Sequence, residues 1–446
     1  MKKTSKKLNL LILINFILIA LIGVLAISSA SQHEADTIKL SAPFVKQLIW
    51  IILGMILIAV LSQIDYEIFR KLSWIFYFII VLTLIFVLFK GGESRRWINL
   101  NMIKLQPSEF MKLPFIMVIS AYISKRTVLS TQPSILEELK VLAVTGILTV
   151  IPVFLIIIEP DLGSSLIFPF ILIAILYVAD ININILFVII FLCFSVGLSL
   201  VFEILWLEEI TDISPFIMRI ILIIKEHLGM FLSLLLILLM VILISIIINF
   251  LGLKVNYAAI IFIWLIFAIG FILGNKMGGF IKPYQRARIM TFVKPGFDSK
   301  GSGWNVLQSK IAVGSGMTRG KGFLKGTQHR FRFLPERHTD FIFSVIGEEF
   351  GFIGSGILII LYISLIIQIF LIAYYANSVF GKLLASGILF LFLFHIIENI
   401  GMAVGMLPVT GLPLPLVSYG GSSFLVFSAA MGILLNISKQ SSFAQG

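Results

Sequence analysis

Residues 9–30 read NLLILINFILIALIGVLAISSA, an apolar run without a charged side chain. A helix needs about 20 such residues to cross a bilayer, and similar runs recur to the end of the chain. Twelve candidate spans lie near residues 9–30, 44–63, 73–89, 108–124, 141–158, 165–179, 184–205, 228–251, 259–275, 352–375, 383–405 and 416–437. The ~10-residue alternating segments of a membrane β-barrel do not occur. The sequence therefore predicts an all-α, polytopic helical bundle with about ten to twelve transmembrane helices.

The composition supports a membrane protein. Of the 446 residues, 59% are hydrophobic and 13% are charged. A soluble domain has roughly 45–50% apolar and about 25% charged residues, so a soluble enzyme is excluded. The single cysteine, Cys193, lies inside an apolar run. One cysteine cannot build a disulfide scaffold, a zinc finger or an iron–sulfur site, and we interpret it as a small buried side chain.

The amino-terminal segment MKKTSKKLNL carries four lysines before the first apolar run. A cleaved signal peptide has a similar pattern, but its apolar core is shorter, so we expect an uncleaved first span. With this end inside, the short inner loops hold more Lys and Arg than the short outer loops. This asymmetry predicts that both termini are cytoplasmic.

Residues 276–340 form a long polar segment that this topology places outside. Thirteen Lys and Arg residues face three acids there, a net charge of +10 compared with +12 for the whole chain. Such a segment is expected either to attract anionic lipid headgroups or to bind an anionic substrate such as a diphosphate. The charges alone leave both readings open. The glycines and aromatic residues of this segment predict an ordered surface structure rather than a disordered linker.

The segment GSGMTRGKG at residues 314–322 contains glycines like those of a phosphate-binding loop. It lacks the Gly and the Ser or Thr that the P-loop pattern requires at Ser315 and Gly322, and no strand precedes it. An ATP-driven machine is therefore not expected. Nucleic acid is not an expected partner either, because the basic segment is predicted to lie outside the cytoplasm.

Asp340 lies in RFLPERHTDFIFSVIGEEFG, where the polar segment meets an apolar run. One interpretation makes Thr339 or Asp340 the N-cap of the following helix. The other makes Asp340 a partly desolvated carboxylate that acts as a general base, with His338 two residues away. Glu348 and Glu349 are either headgroup-level acids or cation ligands, and the sequence leaves this open.

Other polar residues interrupt the apolar runs. Glu109 and Lys112 are three residues apart in LQPSEFMKLPF, so they share one helix face, as do His395 and Glu398 further on. Ionisable residues inside a membrane are either structural ion pairs or functional groups. The small residues of SYGGSS at 418–423 permit close approach of a helix or of a ligand, and packing is the commoner reason.

Six segments together resemble the SEDS family (shape, elongation, division, sporulation; RodA, FtsW and SpoVE), and are most similar to its RodA-type members. The segments are GGESRRWINL…QPSEF (91–110), EPDLGSS (159–165), YQRARIMTFVKP (284–295), GWNVLQSKIAVGSG (303–316), FLPERHTDFIFSVIGEE (333–349) and LPVTGLPLPLVSYGGSS (407–423). They keep the family's order and cover nearly the whole chain as a single membrane domain, 1–446.

The resemblance implies a peptidoglycan glycosyltransferase that polymerises lipid II at the outer face of the bacterial cytoplasmic membrane during cell-wall elongation. It makes Asp340 the general base, Trp97 a site residue and Glu109 with Lys112 the family's acid–base pair. Further residues proposed to bind substrate are Arg95, Arg96, Arg286, Arg288, Lys310, Glu336, His338, Thr339, Ser418, Gly420 and Gly421.

The implied partners are a class B penicillin-binding protein, which supplies transpeptidation, and other membrane proteins of the elongation complex, together with membrane lipid. A polyprenyl-diphosphate donor is already activated, so no cofactor is expected, and the need for a divalent cation stays open. The chain has about two more candidate spans than the family pattern, and residues 206–258 are the expected insertion. The alternatives are a flippase for lipid-linked precursors, or a non-catalytic scaffold that recruits a synthase.

Overall fold

The computed structural model describes residues 2–31, 43–90, 96–100, 103–127, 134–209, 239, 257–278, 283–293, 301–330 and 333–441. Over these residues the chain is helical apart from one two-stranded hairpin, which confirms the all-α fold class. The chain contacts divide it into two compact units. The first comprises Met1–Ile181 with Asp298–Gly446, and the second comprises Asn182–Phe297.

The helices follow the apolar runs. In the first unit they are α1 (Lys2–Ala30), α2 (Pro43–Leu61), α3 (Tyr66–Lys90), α4 (Pro107–Thr127), α5 (Ile135–Ile158) and α6 (Leu162–Val178), with strands β1 (Ile98–Leu100) and β2 (Ile103–Leu105) before α4. The second unit holds α7 (Ile183–Glu209), α8 (Tyr257–Gly278) and α9 (Pro283–Val293). The first unit resumes with α10 (Ser302–Ser315), α11 (Thr327–Arg330), α12 (Ile342–Tyr374), α13 (Val379–Ala403) and α14 (Gly421–Gln440).

Eight of the described helices are long and apolar enough to cross a membrane, and two shorter apolar helices lie at Leu162–Val178 and Ile261–Lys276. Eleven of the twelve predicted spans fall on helices, and the span predicted at 228–251 lies outside the described residues except for residue 239. The last predicted span starts too early, because its helix begins only at Gly421. Pro413 and Pro415 precede it, and proline lacks the N–H that a helix interior requires.

Helices α13 and α14 form the centre of the first unit. They are the most buried of the candidate spans, because 72% of the apolar stretch of α13 and 83% of that of α14 are buried inside the protein. Helix α13 packs against α4, α6 and α12, whereas α14 packs against α2 and α4. Large apolar side chains on α2 and α3, such as Ile56, Leu82 and Phe86, point outward and are exposed. In a bilayer these faces contact lipid, while the polar residues of α13 and α14 stay inside the bundle.

Helix α12 is interrupted at Gly351, which has φ 64° and ψ −158°. The buried segment before this break carries Glu348, and the predicted span at 352–375 begins directly after it. The loop that follows α10 crosses here: Lys321 N donates to Glu348 O at 3.0 Å, and Phe352 N donates to Met317 O at 2.8 Å. A Cβ at Gly351 would lie 2.3 Å from Gly320 N, so this crossing requires glycine.

The second unit is built on the contact between α7 and α8. Ser195 Oγ donates to Phe267 O at 2.6 Å, and Ser199 Oγ donates to Phe271 O at 2.7 Å. A Cβ at Gly270 would lie 2.8 Å from the Ser195 Cβ, so small residues let these helices approach closely. Most of the insertion predicted at 206–258 lies outside the described residues, and it stays a prediction.

Candidate active site

The turn at residues 338–340 is bound through all three of its backbone carbonyls. Tyr419 N donates to the first at 2.9 Å, and Ser418 Oγ donates to the second at 2.6 Å. The amide nitrogen of Asn399 donates to the third at 2.8 Å. The partners come from α13 and from the loop of residues 404–420. These bonds hold the turn that carries Asp340 against this loop.

The Asp340 carboxylate lies over the backbone at Gly411. A Cβ built at Gly411 would sit 3.0 Å from Asp340 Oδ2, and Gly411 has φ +79°. The N-cap of α12 is Phe341, whose side chain makes no capping bond, so assigning the cap to Thr339 or Asp340 is wrong. The backbone adds a further turn before the helix, which places Asp340 outside it.

Helix α10 forms another wall of the site. Its Val306 belongs to one buried cluster, whose other members are Leu334, Phe341, Met402 and Val409. Ser309 Oγ lies 2.5 Å from Ser344 Oγ and donates to Ala403 O at 2.5 Å. The next residue, Lys310, is exposed, and its side chain passes over Gly405, where a Cβ would lie 1.9 Å from Lys310 Cε. The fold therefore places this predicted cation beside the 404–420 loop.

The other residues of the turn hold one another. Thr339 Oγ1 donates to Glu336 Oε2 at 3.0 Å, and Glu336 takes φ +48°. The ring of His338 meets that of Tyr419 edge to face at 5.8 Å. Burial raises the pKa of the Tyr419 hydroxyl. Arg337 is buried, and its Nε donates to Ala30 O at 2.7 Å.

Glu348 and Glu349 hold the loop before the site. Glu348 Oε1 pairs with Lys321 Nζ at 2.6 Å and accepts the Thr327 backbone N–H at 2.7 Å. Glu349 Oε1 accepts from Ser29 Oγ at 2.5 Å. Both acids are fully buried inside the protein, so neither side chain is exposed to headgroups. They act as internal anchors of the loop, and Glu348 in addition binds the first turn of α11.

The predicted outer motif forms the hairpin of β1 and β2, in which Ile98 pairs with Leu105. Trp97 precedes it and is 36% exposed. The Arg96 guanidinium donates to the carbonyl of Glu159 at 2.8 Å and to that of Pro160. Two of its five N–H donors are thus bound to the chain itself. Arg95 lies outside the described residues.

The EPD segment of residues 159–161 begins at a buried acid. Glu159 is 0% exposed, and neither carboxylate oxygen has a hydrogen-bond partner among the described residues. Burial, with a smaller contribution from Asp161, raises the pKa of Glu159 to about 8, although Arg96 opposes the shift. Asp161 caps α6 through Ser164 and accepts from Gln106 Nε2 at 2.8 Å.

A buried charged triad lies deeper in the bundle, between α4 and α13. Lys112 Nζ is 2.6 Å from Glu109 Oε1 and 2.9 Å from His395 Nε2. His395 Nδ1 is 2.9 Å from Leu391 O, and a carbonyl can only accept, so Nδ1 carries the proton. Nε2 is then the acceptor for the lysine. The pairing of Glu109 with Lys112 was predicted from their spacing, whereas the part of His395 was not.

The residues proposed at 418–421 support the loop. Ser418 Oγ accepts from Leu414 N at 2.8 Å besides its bond to Thr339 O. Gly421 lies against the Trp50 ring, where a Cβ would be 2.2 Å away, and Gly420 is the N-cap of α14. Packing therefore explains the glycine at 421. Contact of these residues with a substrate stays a prediction.

Arg286 and Arg288 lie on α9 in the second unit, and both are half-buried. Their predicted contact with a diphosphate stays a prediction. Within the ranges that the structure describes, no three His, Cys, Asp or Glu side chains are grouped so that they could hold a metal ion.

Sequence reasoning missed Asn399, and it paired His395 with Glu398 on one helix face without foreseeing the contact of His395 with Lys112. Each contacts a group far away in the chain: Asn399 bonds to Asp340, and His395 to Lys112. Buried polar side chains in an apolar run are the signal that could have marked them, because burial of a polar group requires a partner.

The fold and the site together define an integral membrane protein in which the Asp340 carboxylate is held in the turn before α12. The family model for FtsW, RodA and SpoVE, described as cell cycle protein, matches residues 9–215 and 209–443. Peptidoglycan glycosyltransferase RodA of Treponema pallidum is 32% identical over 439 residues, 96% of each chain. MrdB of Escherichia coli K12, also named a peptidoglycan glycosyltransferase, is 32% identical over 87% of this chain and 83% of its own.

Solved structures share the fold. A chain of a peptidoglycan synthase complex matches with TM-score 0.64 and 23% identity over 96% of both chains. Rod shape determining protein RodA of Thermus thermophilus matches with TM-score 0.57 and 20% identity over 97% of this chain and 96% of its own. The chain therefore belongs to the FtsW/RodA/SpoVE family, which confirms the resemblance drawn from its motifs.

Proposed function

We propose that this protein is a peptidoglycan glycosyltransferase that polymerises lipid II, with Asp340 as its general base. Membership of the family and the names of relatives 32% identical over most of the chain support the activity. The observation that carries the site assignment is the placement of Asp340. Its carboxylate lies over Gly411, and its turn is bound through three consecutive carbonyls.

The reaction joins the acceptor sugar to the donor at its anomeric carbon. In the proposed mechanism Asp340 takes the proton from the attacking 4-hydroxyl of the acceptor, the new C–O bond forms, and the bond to the diphosphate breaks. The polyprenyl diphosphate leaves with both electrons of that bond. Attack opposite an α-linked diphosphate inverts the centre and gives a β-linkage. The donor is already activated, so no nucleotide is consumed.

Cations are needed where the diphosphate departs, because its negative charge grows as the bond breaks. Lys310 is the proposed contact on the first unit, since it is exposed beside the 404–420 loop. Arg96 retains three donors beyond its two carbonyl bonds, so it is proposed to assist.

The partner is proposed to be a class B penicillin-binding protein within the elongation machinery. The fold match to a chain of a peptidoglycan synthase complex supports this choice. We place the protein in the bacterial cytoplasmic membrane with both termini inside. The site then faces outward, where the glycan strand is built.

The buried triad of Glu109, Lys112 and His395 favours one competing function, a flippase for lipid-linked precursors. Ionisable groups inside a membrane commonly mark a transport pathway. A carrier of this kind would move lipid II across the bilayer without joining its sugars.

The decisive experiment measures polymer formation from purified lipid II in liposomes. Wild type, Asp340→Asn and the control Asp180→Asn are each assayed with the cognate class B penicillin-binding protein, and glycan chains are resolved on a gel. Asp180 is an exposed acid in the loop after α6. We expect chains from wild type and Asp180→Asn, and none from Asp340→Asn. Transfer of labelled lipid II across the bilayer without chains would instead support the flippase.

A further inference from the structure

Asn399 joins two separate segments of the site. Its side chain lies fully buried on α13, and its amide nitrogen makes two hydrogen bonds. It donates to Asp340 O and to Leu412 O, each at 2.8 Å. The first carbonyl belongs to the turn that carries the proposed base. The second belongs to the 404–420 loop, so one amide group ties the two walls of the site together.

The loop residue next to Leu412 is the one that faces the carboxylate. A Cβ at Gly411 would lie 3.0 Å from Asp340 Oδ2, which is a close approach between loop and carboxylate. The two bonds of Asn399 lie one residue from this approach on the loop side, and at Asp340 itself on the other. A shift of either carbonyl therefore changes the gap between the carboxylate and Gly411.

The bonding of Asn399 is one-sided. Both N–H groups of its amide are used, whereas Asn399 Oδ1 has no hydrogen-bond partner among the described residues. A buried amide oxygen without a hydrogen-bond partner costs free energy of folding, so complete hydrogen bonding of the amide does not explain an asparagine at this position. An apolar residue would fill the same space without that cost. The feature that only the amide supplies is the pair of donors toward Asp340 and Leu412.

We infer that Asn399 is a positioning residue, which sets the Asp340 carboxylate at its working distance from the Gly411 loop. This inference rests on the proposed function, because it concerns the placement of the proposed base. The hydrogen bonds of Asn399 go to two backbone carbonyls. Its effect is expected on the rate of the chemical step, where a misplacement of about 1 Å lowers a rate about 100-fold.

The chain offers a matched control in Asn436 on α14. Asn436 is also buried, at 4% exposure, and its amide joins two elements: Oδ1 accepts from Tyr66 N at 3.0 Å, and Nδ2 donates to Ser62 O at 3.2 Å. These bonds tie α14 to the connection between α2 and α3. The same substitution, asparagine to alanine, therefore removes a buried cross-link in each case, but only one cross-link reaches Asp340.

The test compares Asn399→Ala and Asn436→Ala in complex with the cognate penicillin-binding protein. Initial rates of glycan formation give kcat and KM, labelled lipid II gives Kd, and thermal unfolding gives Tm. We expect Asn399→Ala to lower kcat about 100-fold with KM and Kd within threefold. Asn436→Ala should lower Tm by about as much as Asn399→Ala does, and it should keep kcat within threefold of wild type. The inference is overturned if the kcat of Asn399→Ala is within threefold of wild type, or if both variants lose kcat equally.

Asn399→Ser keeps the test decisive if the alanine variant does not fold. Serine retains one donor, so we expect a loss of kcat about tenfold, and an unchanged kcat would contradict the inference. Asp340→Asn measured alongside separates the two claims. Activity in Asp340→Asn removes the proposed base and this inference with it. An inactive Asp340→Asn beside a fully active Asn399→Ala overturns the inference alone.

Discussion

Replacing Lys112 with methionine tests the buried triad most severely, because the change removes the charge and keeps an unbranched apolar side chain that is one atom shorter. Lys112 is fully buried, and its ammonium lies 2.6 Å from Glu109 Oε1 and 2.9 Å from His395 Nε2. Glu109 is 4% exposed, and its other oxygen has no hydrogen-bond partner among the described residues.

The cost of Lys112→Met follows from these contacts. Removal of one partner from a buried ion pair leaves an uncompensated charge and costs about 3–5 kcal/mol. The lost hydrogen bond to His395 adds about 1 kcal/mol. We therefore expect the free energy of unfolding to fall by about 4–6 kcal/mol. The double variant Glu109→Gln with Lys112→Met should recover much of this loss, since neither partner then carries a buried charge.

Unfolding by SDS titration in mixed micelles, followed by tryptophan fluorescence, measures these free energies. Lys321→Met is the matched control, because Lys321 makes an ion pair of the same 2.6 Å length with Glu348. Lys321 is 26% exposed, and Glu348 keeps its bonds from Thr327, so this change should cost about 1 kcal/mol. Equal costs for the two lysine variants, or a double variant as unstable as Lys112→Met, would refute the reasoning.

Two further changes test the loops of the first unit. Gly411→Ala forces a residue with a side chain to φ +79° and places its Cβ 3.0 Å from Asp340 Oδ2. The rate of polymerisation should therefore fall at least tenfold, and the free energy of unfolding should fall by about 1–3 kcal/mol. A fully active variant would contradict the placement of the Asp340 carboxylate over Gly411. The pKa of Glu159 is raised to about 8 from 4.5 by burial, so the folded state holds a proton there that the unfolded state releases. Stability from this group is therefore lost as pH rises from about 5 to 8, and Tm measured across that range should fall less steeply in Glu159→Gln than in wild type. Parallel curves for the two proteins would show that Glu159 is not protonated in the fold.

The helices could be predicted because each corresponds to one continuous run of about 20 apolar residues in the sequence. The same local reasoning placed Glu109 and Lys112 on one helix face, and the structure pairs them at 2.6 Å. It failed at Thr339 and Asp340, which were weighed as helix caps, because an extra turn moves the cap to Phe341. The preference of Thr and Asp for the N-cap position does not include the effect of the tertiary contacts that shape this turn.

Contacts between distant segments were beyond local patterns. His395 reaches Lys112, and Asn399 reaches Asp340, only because α13 packs in the centre of the first unit. Glu348 and Glu349 were left open between headgroup-level acids and cation ligands, and the fold buries both as anchors of a loop. Asp340 was singled out by its position between a polar segment and an apolar run, and the resemblance of its motif made it the proposed base.

The most direct test of Asp340 as the general base is the initial rate of glycan polymerisation by Asp340→Asn, measured at saturating lipid II in the complex with the penicillin-binding protein. Loss of a general base lowers a rate by about 10²–10⁴-fold. We expect a fall of at least 100-fold, with the Kd for labelled lipid II and the Tm close to those of wild type. A rate within threefold of wild type in the same complex would contradict this assignment.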